Sequence, residues 1–163
     1  MVSAVNELDC ERIWMRAQSR EWKTLAVVPA AESDTPAAFD FAHLLMETGL
    51  QHGDRITVAD LRAVRLLNAP AILQVVASCV DSGARVIFGT RSIAENVASI
   101  RFAKAADCAI LCVSLGSTTV ASAREAIDQI GKERFLGTVI LRPRAEMTNE
   151  WRQPRAPQRS EHP

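Results

Sequence analysis

Short apolar runs punctuate the chain, and longer segments with helical periodicity lie between them. The runs are Thr24 to Val28, Arg55 to Ala59, Ala84 to Phe88, Cys108 to Val113 and Phe135 to Leu141. They are continuous and rich in Val, Ile and Leu, the pattern of strands buried on both faces. The segments between them predict helices over Pro36 to Thr48, Asn68 to Ser82 and Ile93 to Lys104. A further helix is expected from the Gly116-Ser117-Thr118 turn to Gly131. Such alternation implies βαβ units with right-handed crossovers and a parallel sheet. The expected fold is a three-layer α/β domain of five parallel strands flanked by helices.

Residues 6–22 add an N-terminal helix, with Leu8, Ile13, Trp14 and Ala17 on or near one face. Residues 1–22 therefore read as a helical segment, 23–141 as the α/β domain and 142–163 as a tail. Four of the seven prolines and five arginines fall in that tail, where the apolar periodicity is lost. Its composition is that of an unfolded, solvated segment; a Pro/Arg peptide for a partner is the alternative. Trp14, Met15 and Trp22 make a large apolar payload for a chain end and are the interface candidates.

The first crossover, Thr24 to Leu50, carries the chemistry. Its strand ends in a polar loop, Glu32-Ser33-Asp34-Thr35, and a strong helix start follows. Thr35 can cap the helix with its hydroxyl, Pro36 suits the first helical position, and Gly49 is placed to stop it. Strand, loop and helix N-terminus form the layout that cradles phosphate in nucleotide-binding α/β proteins. A phosphate-binding loop reads G-x-x-x-x-G-K-[ST]. This loop has neither the glycines nor the lysine.

Nineteen basic and nineteen acidic side chains cancel, so no global field argues for nucleic acid or an anionic membrane. No stretch is apolar enough for a membrane span, and residues 1–20 carry charges where a signal peptide would need an apolar run. The four cysteines contain no C-x-x-C pair and fit a reducing compartment. Cys108 and Cys112 share one strand face, which favours packing over redox chemistry. His43, His52 and His162 show no metal-ligand spacing, so no metal is expected; with no glycine or lysine in the loop after the first strand, no cofactor is expected either. The chain has no tyrosine.

Several segments in order resemble the cytoplasmic kinase domain of the bacterial tyrosine kinases of capsule and exopolysaccharide synthesis, relatives of the MinD/ParA ATPases. KTLAVVPA at Lys23 to Ala30 resembles the strand entering the Walker A loop. ITVADLR at Ile56 to Arg62 resembles the Walker A′ strand with its D-x-D-x-R ending. RVIFGTRS at Arg85 to Ser92 resembles the Walker B strand, and the stretch from Ala105 to Ile140 resembles the family's closing strand, helix and strand. The resemblance implies a P-loop fold with strand order 2-3-1-4-5; an unrelated flavodoxin-like binding domain would instead show 2-1-3-4-5.

The same alignment exposes what is missing. The Walker A lysine would fall near Asp34 or Thr35, the first Walker A′ aspartate on Val58, and the Walker B aspartate on Gly89. Asp60, Arg62 and Thr90 are retained, and Arg91 follows. Phosphoryl transfer depends on positioning and on neutralising developing charge, so the expectation is a pseudo-ATPase or pseudokinase with no catalytic residues. The degenerate nucleotide loop is Glu32, Ser33, Asp34 and Thr35; Asp60, Arg62, Thr90 and Arg91 are the residual positions. What the resemblance implies is a cytoplasmic interaction or regulatory module in bacterial polysaccharide biosynthesis or export. Its protein partner would hold it at the inner face of the membrane, and it would form a homo-oligomer. The alternative is a nucleotide- or anion-responsive switch using Thr35, Asp60, Thr90 and Arg91.

Overall fold

The strands assemble in the order β2-β3-β1-β4-β5, all parallel, in one sheet. The computed structural model describes residues 7–141; the expected tail at 142–163 lies outside the described residues. In chain order the elements are α1 (Glu7–Ala17), β1 (Thr24–Pro29), α2 (Thr35–Gln51), β2 (Ile56–Asp60) and α3 (Ala69–Asp81). They continue with β3 (Arg85–Gly89), α4 (Ala98–Ala105), β4 (Cys108–Ser114), α5 (Val120–Ile130) and β5 (Phe135–Leu141). This order is that of a P-loop-like α/β fold and excludes the flavodoxin-like alternative, in which strand three would not lie between strands one and two.

Two apolar layers flank the sheet. One joins Leu25, Val27, Ile87, Cys108, Ile110 and Cys112 to α1 and α2. The other joins Ala26, Val28, Val86, Phe88, Ala109 and Leu111 to α3, α4 and α5. Alternate residues of each central strand thus enter opposite cores, which is why the runs read as continuously apolar. Each fully buried Leu, Ile or Phe in these layers contributes about 1.5–3 kcal/mol. Cys108 and Cys112 lie in one layer and all four cysteines are free. Burial first, then the nearby Asp107 charge, pushes the Cys108 thiol up to about 12.

Several local expectations are corrected. The N-terminal helix ends at Ala17, where backbone turns at Gln18, Ser19 and Arg20 close it, so Trp22 lies in the link to β1. Trp14 and Trp22 are not surface contacts. They are 1 % and 3 % exposed, with their rings edge to face at 5.9 Å, and Arg85 lies over the Trp22 ring at 4.7 Å. Of the three interface candidates, Met15 alone is exposed.

Helix α2 runs past Gly49 to Gln51, and Gly53, at φ +84°, makes the turn. Gly49 has another reason to lack a side chain: a Cβ there would sit 2.7 Å from the Trp14 ring. Helix α4 starts at Ala98 rather than Ile93, because Ser92 to Val97 form a hydrogen-bonded loop in which Asn96 accepts from the Ala98 N–H.

Candidate functional site

The three loops leaving β1, β3 and β4 meet at the C-terminal edge of the sheet, where open α/β folds bind ligands. The order β3-β1-β4 makes them neighbours, and side chains tie them together. Asp34 closes the first loop. It is fully buried, and its Oδ2 accepts from the Ala31 N–H at 3.1 Å and from the Thr118 hydroxyl at 2.6 Å. Thr118 Oγ1 in turn accepts from the Ser114 N–H at 2.8 Å. A single chain of hydrogen bonds therefore runs from the end of β4 to the loop after β1. The other oxygen of Asp34, Oδ1, is buried with no hydrogen-bond partner among the described residues.

A second carboxylate closes the other side. Glu95 Oε2 accepts from the Thr35 hydroxyl at 2.8 Å, the Ser92 hydroxyl at 3.0 Å and the Ser92 N–H at 3.2 Å. Thr35 therefore does not cap α2 with its hydroxyl; Asp34 holds the N-cap position in a helical conformation without a side-chain cap bond. Arg91 stands 3.9 Å from Glu95 Oε1, a loose, half-exposed pair. Thr90 points inward, its hydroxyl donating to the Val27 carbonyl at 3.0 Å and fastening β3 to β1. Glu32 and Ser33 are exposed on the short 3-10 turn before α2.

The residual pair after β2 is also committed. Arg62 Nε and Nη2 each donate to Asp60 at 2.9 Å. The side-chain hydrogen bond from Arg62 holds the Asp60 carboxyl below its ordinary range, against a smaller desolvation effect. The same guanidinium lies 3.5 Å over the Phe39 ring. A Cβ on Gly89 would come within 2.6 Å of that ring. Phe39 thus occupies the space beside the residue on which the Walker B aspartate would fall.

Most of the sequence-chosen positions gather at this edge, and Asp34, Thr35, Asp60, Arg62 and Thr90 bond to other groups of the protein. Sequence reasoning does not find Thr118, which carries no signal beyond its turn, or Phe39, an apolar position inside the predicted helix over Pro36 to Thr48. Glu95, four residues after Arg91, carries no signal for its bonds to Thr35 and Ser92.

The loop offers a triphosphate no lysine: Asp34 and Glu95 place two carboxylates at the start of α2, and the backbone N–H of Ala31 already donates to Asp34. Among the described residues no cluster of three His, Cys, Asp or Glu side chains could hold a metal ion. No described helix is long and apolar enough to cross a membrane. A surface cavity of about 440 Å³ lies at the opposite ends of the strands, beside Trp22, Lys23, Arg85 and Asp107.

No protein-family model matches the sequence, and no curated protein matches it. Among solved structures, the crystal structure of the chimerical protein CapA2B2 is similar, with a TM-score of 0.68 over 82 % of this chain and 83 % of that one. At 12 % identity the likeness is one of fold.

Proposed function

We propose that this chain is a catalytically inactive P-loop-like domain, related to the bacterial tyrosine kinases of polysaccharide synthesis, that works as an interaction module in the biosynthesis or export of a bacterial polysaccharide. The sequence resemblance supplies the pathway. The strand order and the fold shared with CapA2B2 support the architecture. A cytoplasmic setting, a protein partner at the membrane and self-association belong to the same reading.

The buried Asp34 carboxylate, bonded across two loops near the place of the missing lysine, carries the argument against catalysis. A triphosphate oxygen brought within about 4 Å of it would be repelled by roughly 4 kcal/mol at an effective dielectric of about 20. That is about three decades of affinity. The switch reading fares worse for the same reason. Thr35, Asp60 and Thr90 would have to abandon short hydrogen bonds to serve a ligand, leaving Arg91 as the loosely held cation. Isothermal titration of the full chain with ATP and magnesium is the test. No saturable heat is expected; micromolar, magnesium-dependent binding would overturn the reading.

A further inference from the structure

We infer that the outer face of α3 is the surface on which a second copy of this chain docks, helix against helix and antiparallel about a two-fold axis. Before the terminal Asp81, the exposed positions of α3 are Pro70, Ala71, Gln74, Val75, Ala77 and Ser78, at helical spacing and without a charge among them. Leu66 and Leu67, on the turn leading into the helix, are 48 % and 89 % exposed, and Val75 is 62 % exposed. Past its first turn, where Val120 and Ala121 are exposed, α5 is the internal contrast: Arg124, Glu125, Asp128 and Gln129 face solvent there. Apart from Gln74, Ser78 and the terminal Asp81 this outer side is apolar, and a helix apolar on both sides belongs in an interior.

The charges at the ends of this face say what covers it. Arg65 is exposed before α3 and Asp81 is exposed at its end. Neither takes part in an ion pair among the described residues. The face is thus basic at one end, acidic at the other and neutral between. Laid antiparallel on its own copy, a helix about 20 Å long brings each Arg65 to the other copy's Asp81, twice by symmetry. The helix macrodipoles also oppose favourably. Ala71, Ala77 and Ser78 keep the contact flat enough for close approach. A lipid surface would ask for the same sign at both ends, so the second copy is the better fit.

This inference deepens the interaction-module reading and rests on it only in taking contact as the chain's business. Nucleotide binding with intact dimerisation would sink that reading alone, and monomeric behaviour without nucleotide binding would sink this one alone. The test is sedimentation velocity on the full chain at concentrations up to about 100 µM, the range suited to a weak interface of under about 1,200 Å². A concentration-dependent dimer is expected, abolished by Val75→Glu. Arg65→Asp and Asp81→Arg should each weaken it by roughly fivefold, and the double exchange should restore it. A folded monomer at every concentration overturns the inference. So does a dimer indifferent to Val75→Glu, a charge exchange without rescue, or a monomer that floats with anionic phospholipid vesicles through Val75. Should Val75→Glu fail to fold, the charge exchange decides alone.

Discussion

Replacing Asp34 by alanine removes the tie between two crossover loops while leaving every strand intact. The carboxylate accepts two hydrogen bonds, from the Ala31 N–H and the Thr118 hydroxyl. Bonds to an ionised group contribute about 1.5–3 kcal/mol each, and an orphaned buried oxygen such as Oδ1 costs about 1–3 kcal/mol. Alanine forfeits the first and relieves the second, so the net loss should be about 2–3 kcal/mol. With a urea slope of roughly 1–3 kcal/mol per molar, the unfolding midpoint should fall by about 0.7–3 M. Asparagine keeps an acceptor for both donors and should stay within about 1 kcal/mol of the parent. Urea denaturation of the three proteins, followed by far-UV circular dichroism, measures this directly. An alanine variant within about 0.5 kcal/mol of the parent, the scale of an ordinary surface change, would refute the reasoning. The same result would remove the argument that this carboxylate fills the cradle.

Gly49→Ala places a methyl group 2.7 Å from the Trp14 ring, which Trp22 braces from the side. Overpacking of about 1–3 kcal/mol should outweigh a helix-propensity gain of up to about 1 kcal/mol, lowering the melting temperature; an unchanged or raised midpoint would count against the packing described. Asp107 is desolvated, which raises its pKa, but hydrogen bonds from the Lys23 and Thr24 N–H groups and the Thr24 hydroxyl outweigh this and leave it lowered. A carboxylate lowered on folding adds stability above its unfolded pKa of about 3.9 and loses it as pH falls through the folded value. Asp107→Asn should therefore be less stable than the parent at neutral pH, and the gap should close on acidification below about pH 4; urea midpoints across that range showing a constant gap would contradict it.

Much of the fold was legible because its signals are local. The continuous apolar runs became the five strands, and Pro36 and Pro70 each stand in the first turn of a helix. The helix ends were harder. Gly49 looked like a stop because glycine usually is one, yet here it makes room for a tryptophan from another helix. Trp14 and Trp22 looked like a sticky chain end because nothing local says that α1 folds back over the sheet. At the site, the absence of glycine and lysine between Glu32 and Thr35 was plain from the letters alone.

What the sequence by itself determined is the alternation of strands and helices and the stripping of the loop's cationic chemistry, since both are written in neighbouring residues. What only the tertiary structure decided is the fate of the vacated place. Asp34 meets Thr118 across 84 residues, and Thr35 meets Glu95 across 60. Bonds of that kind depend on the strand order, which sets three loop ends side by side. No periodicity along the chain encodes them, because a carboxylate's partner is chosen by proximity in space and by the need to satisfy buried donors.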